Sequence, residues 1–316
     1  MDNQNNWEQN TIQELLLANL KEQRAKRKWS IFFKVLGFGY IFFITIAFLF
    51  SNNKVSSSNT ANSKESKQKG VYSALIEIEG EINKNQPANA DSINKSLNNA
   101  FNNKQTKGII LKINSPGGSP VQARQIYNNI LKLRAKHKDI KVFAAIEDMG
   151  TSAAYLIASA ADQIYADETS LVGSIGVIID SFGFVETLQK LGIERRLYIA
   201  GKNKAMLDPF SPRNKEQEEF INQQLSVVHQ IFIKNVLDRR TQLNNALNNQ
   251  DIFSGKFWVG QSALELGLID GFGDAQHIAT EIIQASEIRD FTLQPSLMDR
   301  LSTKFKLMLR GIIFKL

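Results

Sequence analysis

Apolar and polar positions follow different rhythms along this chain. Residues 35–50, VLGFGYIFFITIAFLF, are sixteen apolar or weakly polar positions in a row, and the run extends back to Trp29 across the single charge of Lys34. As a helix, residues 29–50 would be about 33 Å long, enough to cross a bilayer if Lys34 snorkels to the interface. The run is apolar on every face and holds no turn signal, unlike an amphipathic core helix. Ahead of it, Ile12, Leu15, Leu16 and Leu20 recur at helical spacing in a polar lead. Behind it, residues 51–70 hold no aromatic side chain and one large aliphatic one. Such a segment cannot bury enough surface to order itself and reads as a flexible linker with a reach on the order of 25 Å.

From residue 71 onward, short apolar runs alternate with helical periodicity. Residues 72–80, 108–113, 141–146, 163–166, 173–179 and 195–200 read as strands. Residues 91–103, 120–136, 152–161 and 184–191 read as helices, with Pro120 opening the second of these after Ser119. Residues 213–240 read as one or two further helices carrying Phe220, Ile221, Leu225, Val228, Ile231, Phe232 and Val236. Strands alternating with helices, without tight hairpins, predict βαβ units and an α/β fold built on a mostly parallel sheet. The resulting division is a tail (1–28), an anchor helix (29–50), a linker (51–70), a globular domain (71–290) and a basic amphipathic tail (291–316).

The formal charge of +7 changes meaning once it is divided along the sequence. Residues 1–54 hold seven Lys/Arg against four Asp/Glu, residues 299–316 hold five against one, and residues 55–298 hold 26 of each sign. The body is neutral and the basic ends flank apolar segments, which points to a membrane surface and not to nucleic acid. Lys21, Arg24, Lys26, Arg27, Lys28 and Lys34 precede or open the span and only Lys54 follows closely. The positive-inside rule therefore leaves the N-terminus cytoplasmic and the body extracytoplasmic. No A-x-A pattern follows Phe50, so the span reads as an uncleaved anchor. In the C-terminal tail, Lys304, Lys306, Arg310 and Lys315 mix with Leu301, Phe305, Met308, Leu309, Ile312 and Ile313. That mixture suits a membrane-surface helix, a self-substrate or a plain tail.

The chain has no cysteine, so covalent chemistry must run through Ser, Thr or Lys. Three features follow predicted strands, where open α/β sheets place their sites. The first is NSPGGSP, residues 114–120, whose adjacent glycines permit a backbone that aims N–H groups into a cleft. The second is DMGTSAAY, residues 148–155, which would present the Ser152 hydroxyl on a sharp strand-to-helix turn among small neighbours. An ordinary Ser N-cap fits the same position. The third is AGKNKA, residues 200–205, where either Lys202 or Lys204 could serve as a base if desolvation keeps its amine neutral. His137, His229 and His277 lie away from the predicted strand ends, so a Ser-His-Asp triad would have to assemble from distant positions.

In order, NSPGG, MGTSAAYLIASAADQIYA, GSIGVI, GKNK and SGKFWVGQSALELGLIDG closely resemble the motifs of the signal peptide peptidase A family of membrane-anchored serine proteases. The resemblance covers about residues 70–285. It implies a Clp protease/crotonase-like fold of repeated ββα units after one N-terminal transmembrane helix, in the cytoplasmic (inner) membrane of a bacterium, with the catalytic domain periplasmic or otherwise extracytoplasmic. It implies a Ser-Lys dyad with Ser152 as nucleophile and Lys204 as general base, Ser174 orienting the lysine, and an oxyanion donor at Gly117 or Gly118. It also implies a homo-oligomeric ring with the dyad shared between subunits, no metal or organic cofactor, and cleaved signal peptides and other short apolar peptides as substrates. Where many members have SGGY, this chain has SAAY, which places two extra methyl groups beside Ser152.

Overall fold

The structure is a computed structural model that describes residues 26–43, 45, 70–243 and 250–293. The chain divides between Gln68 and Lys69 into two units. In the first, residues 26–43 form helix α1, whose side chains are exposed, with Trp29 stacked on Phe33 at 5.6 Å between ring centres. Among the described residues no helix is long and apolar enough to cross a membrane. The far end of the expected span (46–50), nearly all of the linker (51–69) and most of the C-terminal tail (294–316) lie outside the described residues.

The second unit is a mixed α/β fold on one eight-stranded sheet. Its strands are β1 (Tyr72–Glu79), β2 (Thr106–Ser115), β3 (Lys141–Thr151), β4 (Gln163–Ala166), β5 (Leu171–Gly173), β6 (Phe257–Val259), β7 (Gly271–Phe272) and β8 (Ile288–Asp290). The main path runs β6-β5-β3-β2-β1-β8, and only the β5–β6 pair is antiparallel. β3 is long enough to change partners. Its first half, Phe143–Ile146, pairs with β4, and its end, Met149–Thr151, pairs with β5. The sheet therefore forks beside residues 147–148, where Ser170 spans the gap by donating its hydroxyl to the Glu147 carbonyl.

Both sheet faces are covered, which explains why the central strands read as continuous apolar runs. Ile109, Leu111 and Ile113 of β2 enter one core with α2 (Ala90–Asn102), α3 (Pro120–Lys136) and α4 (Ala153–Ser159), while Ile110 enters the other with Phe143, Tyr165 and Ile278. α3 starts at Pro120 behind a Ser119 cap and buries Ala123, Ile126, Tyr127, Ile130 and Leu133, one stripe at helical spacing. α4, rich in alanine, is buried over its whole length. Truncating one side chain of this core, as in Ile126→Ala, would cost about 2–5 kcal/mol.

Two expected strands do not form. β5 stops at Gly173, so residues 174–179 are irregular, and residues 195–200 pair with no strand. Residues 177–179 and 195–200 belong to an arm, residues 177–213, that includes the short helix α5 (Val185–Lys190) and leads into α6 (Lys215–Leu237). Ile178 is 82% exposed and Tyr198 89%. A strand needs a neighbour to satisfy its N–H and C=O groups, and among the described residues the arm pairs with no strand. α6 is capped by Asn214 and buries only Phe232 and Val236 near its end. After β6, helix α7 (Gly260–Glu265) returns the chain to the sheet.

Candidate active site

The carboxyl ends of β2, β3 and β5 lie side by side, since Ser115 pairs with Gly150 and Thr151 with Gly173. The residues that follow are therefore neighbours: Ser115-Pro116-Gly117-Gly118 after β2, Ser152 after β3 and Ser174 after β5. The sheet gathers three of the four expected site segments at one point.

Ser152 stands on the turn between β3 and α4 with φ 53° and ψ −124°. That is a conformation L-residues avoid, at a cost of order 1–3 kcal/mol, and it persists only where surrounding contacts fix it. Here the Ser152 N–H donates to the Gly173 carbonyl at 2.8 Å, and the Leu156 N–H donates to the Ser152 carbonyl at 3.1 Å. The hydroxyl makes no capping bond to α4. The N-cap alternative thus does not describe this residue, whose side chain is left free at a strained elbow.

The NSPGG loop wraps against that elbow. A Cβ on Gly117 (φ +105°) would come within 2.8 Å of Ser152 Cβ, 2.9 Å of the Thr151 carbonyl and 3.0 Å of the Ala153 nitrogen. A Cβ on Gly118 (φ +143°) would meet the Ile82 carbonyl at 2.4 Å. Glycine is required at both positions by close backbone approach as well as by φ. The Gly117 N–H donates to Ser115 Oγ at 3.1 Å. The Gly117 carbonyl accepts from Ile82 N at 2.8 Å, and Ser119 N donates to the Ile82 carbonyl at 2.8 Å. This leaves the Gly118 N–H without an acceptor among the described residues, and the Ala153 N–H, in the first turn of α4, is likewise unpaired. Two free amides at the nucleophile turn suit a developing oxyanion. Ser115 and Ile82 were not anticipated from sequence: Ser115 lies inside the loop motif, but nothing local marks Ile82, which reaches the loop from beyond β1.

Ser174 has φ 51° and donates its hydroxyl to the Gly255 carbonyl at 3.2 Å, while its N–H donates to the Lys256 carbonyl at 2.9 Å. Trp258 packs beside the same turn, 3.2 Å from where a Cβ on Gly173 would lie. The lysines differ. Lys202 Nζ pairs with Glu216 at 3.1 Å on the surface. Lys204 is exposed in a turn held by its own N–H to the Gly201 carbonyl at 3.0 Å, and among the described residues its amine has no hydrogen-bond or ion-pair partner. Among the described residues no hydrogen bond joins Lys204 to Ser152 or Ser174. The structure brings the two serines and the two glycines together and leaves the lysine outside, on the arm.

That arm packs mainly on itself, with Phe184 stacked on Phe210 at 5.6 Å and Arg195 over the Phe210 ring at 5.5 Å. It exposes Ile178, Phe182, Leu191, Ile193 and Tyr198, and the adjoining stretch of α6 exposes Phe220. Exposed large apolar side chains concentrated in one segment mark a surface that a partner could cover. Among the described residues, no group of three or more His, Cys, Asp or Glu side chains is arranged to hold a metal ion.

Comparisons with known proteins converge on the same segments. Residues 134–289 match the family model Peptidase family S49, and residues 60–172 match the model Clp protease. A relative from Brucella melitensis, named "Na(+)/H(+) antiporter NhaA", is 49% identical over 178 residues, which is 56% of this chain but 24% of that protein. "Putative protease MJ0651" from Methanocaldococcus jannaschii is 32% identical over 58% of this chain and 57% of its own length. "Putative signal peptide peptidase SppA" from Enterococcus faecium is 29% identical over 60% of this chain and 54% of its own. The chain thus spans between a quarter and somewhat over half of the length of these relatives.

Proposed function

The chain belongs to the signal peptide peptidase A family, peptidase family S49, and on that premise we propose that it is a membrane-anchored serine endopeptidase using Ser152 as nucleophile and Lys204 as general base. The observation that carries this reading is the strained, uncapped Ser152 beside the free amides of Gly118 and Ala153. In the proposed cycle, the neutral amine of Lys204 takes the Ser152 proton as Oγ attacks a peptide carbonyl. The Gly118 and Ala153 N–H groups receive the oxyanion, the lysine ammonium protonates the leaving amine, and water attacks the acyl-enzyme through the same lysine. No group outside the polypeptide takes part.

The lysine comes from a neighbouring copy. In support, Lys204 has no partner among the described residues and lies on an arm whose apolar side chains are exposed in one chain. Burying that arm against a second subunit would supply the desolvation a neutral lysine needs. Ser174, whose hydroxyl meets the Gly255 carbonyl in one chain, would turn toward the incoming amine. The assembly is a homo-oligomeric ring in the cytoplasmic membrane with its catalytic domains outside, and its substrates are remnant signal peptides and other short apolar peptides.

The test is complementation. Ser152→Ala and Lys204→Ala are each inactive alone on a fluorogenic peptide. Co-expressed in equal amounts, they restore activity, because random mixing gives a quarter of the sites an intact serine from one subunit and an intact lysine from the next. Activity in either single variant would overturn the dyad, and no recovery in proven mixed oligomers would overturn its sharing.

A further inference from the structure

The neutral charge balance of the body conceals a separation along the strand direction. At the amino ends of the parallel strands stand Lys104 before β2, Lys107 at its start, Lys136 and Lys138 at the end of α3, and Lys141 opening β3. At the carboxyl ends stand Glu147, Asp148, Asp167, Glu168 and Asp274, which share one cleft of about 930 Å³ with Lys112 and His277. At the amino end these five lysines, with Arg134 and Arg239, outnumber Asp139, Asp162, Asp270 and Glu287, so that end is net basic, whereas carboxylates predominate in the cleft at the other.

The basic end also holds a cavity of about 480 Å³ lined by Arg134, Lys138, Lys141, Arg239, Asp162 and Ile140, among others. Asp162 is its one carboxylate. It is taken by Arg134 and by the Val142 N–H at 2.9 Å, and lies 4.0 Å from Lys141. Arg239 and Lys138 make no ion pair among the described residues, and Arg239 Nε is buried there without a hydrogen-bond acceptor. Four cations around one occupied carboxylate form a site short of negative charge. Chain entry adds a second constraint. Residue 70 leads directly into the amino end of β1, which lies in register with the amino end of β2, so the chain enters the body at this basic end.

We propose that the basic end of the sheet docks on an anionic lipid surface, with the Arg134–Lys138–Lys141–Arg239 cavity receiving headgroup phosphates. Docking turns the carboxyl ends of the strands, and with them Ser152, away from the headgroups. The acidic opposite end is repelled by the same surface, so the body holds one orientation. Each lysine or arginine near such a surface contributes about fivefold to partitioning, and salt screens the attraction. The inference goes beyond the peptidase reading and does not depend on it.

The test uses the full chain, whose lack of cysteine lets one introduced thiol be labelled uniquely. Asn102→Cys places a fluorophore at the basic end and Thr169→Cys at the acidic end, both at exposed positions. Each is reconstituted into phosphatidylcholine vesicles, with or without phosphatidylglycerol, that carry a headgroup nitroxide as quencher. Quenching at position 102 is expected to rise at least twofold when phosphatidylglycerol is present, to fall back in high salt, and to stay unchanged at position 169. Lys138→Glu/Lys141→Glu removes the rise while cleavage of a soluble peptide is kept, and Lys138→Ala/Lys141→Ala weakens it. Quenching that ignores phosphatidylglycerol, or is greater at position 169, overturns the proposal. So does release of the face by inorganic phosphate at constant ionic strength, which would make the cavity a site for the free anion. Loss of peptide cleavage in every variant with the quenching pattern intact would instead count against the peptidase reading alone.

Discussion

Gly117→Ala isolates the contribution of the loop to the nucleophile. The added methyl would sit 2.8 Å from Ser152 Cβ, 2.9 Å from the Thr151 carbonyl and 3.0 Å from the Ala153 nitrogen, and two of those three atoms are backbone that no rotamer change can move. Normal carbon contacts lie near 3.5–4.0 Å, so the loop and the elbow must separate by several tenths of an ångström to about 1 Å. The φ of +105° adds a conformational cost of about 1–2 kcal/mol, and the contacts add a comparable amount, so the fold should lose about 2–4 kcal/mol. The larger effect is on rate. Displacing Gly118 from Ser152 removes one oxyanion donor, and loss of such a donor lowers kcat by about 100- to 1000-fold. The assay is kcat on a soluble fluorogenic peptide, beside a thermal melt and labelling of Ser152 with a serine-reactive phosphonate. A folded Gly117→Ala protein with kcat within threefold of the parent would refute the assignment of this loop to the oxyanion site.

Ser152→Gly should relieve the strain at φ 53° and raise stability by about 1 kcal/mol, a gain of about 2–4 °C in Tm, while abolishing activity; an unchanged or lower Tm would contradict the strained elbow. Tyr127 donates its hydroxyl to the Asn235 carbonyl at 2.8 Å, and burial pushes its phenol up to about 12. Because the folded value exceeds the unfolded one near 10, this group's contribution is fully present below pH 10 and is lost as pH rises toward 12. Urea titrations across that range should show a steep fall in stability that Tyr127→Phe makes shallower. Arg240, 4% exposed, pairs with Asp270 at 2.6 Å and donates to the Gly267 carbonyl at 2.8 Å. Asp270→Ala leaves that guanidinium buried without its counter-charge and should cost about 3–5 kcal/mol by chemical denaturation, whereas a loss under 1 kcal/mol would show that the pair is not desolvated.

The parts of the fold most legible in the sequence were those fixed by local pattern. The helix read at 120–136 is α3 residue for residue, because a serine cap, a proline at the first turn and one apolar stripe all mark the same element. β1, β2 and β4 fall where apolar runs without helical spacing placed them. β3 ran five residues beyond the expected end at 146, since EDMGT has no apolar rhythm and is held extended by partners far away in sequence, Ser115 and β5. Residues 195–200 have a strand's composition and no strand, because composition records a preference for burial and not whether a neighbour is present to receive it.

The candidate site divides in the same way. The order of residues determined that a serine would follow one strand and a glycine pair another, since strand-to-helix turns are written in Gly, Ser and Pro. Only the tertiary structure decided that Ser152 is a strained elbow and not a cap, that Gly117 spends its amide on Ser115 while Gly118 keeps its own, and that Lys204 stands apart from both serines. Apart from the local Gly117–Ser115 bond, the site is set by contacts between residues tens of positions apart, such as Gly118 against Ile82 and Ser174 against Gly255. Periodicity reports which side of a segment is buried, but the direction of an N–H group is set by the backbone that packs against it.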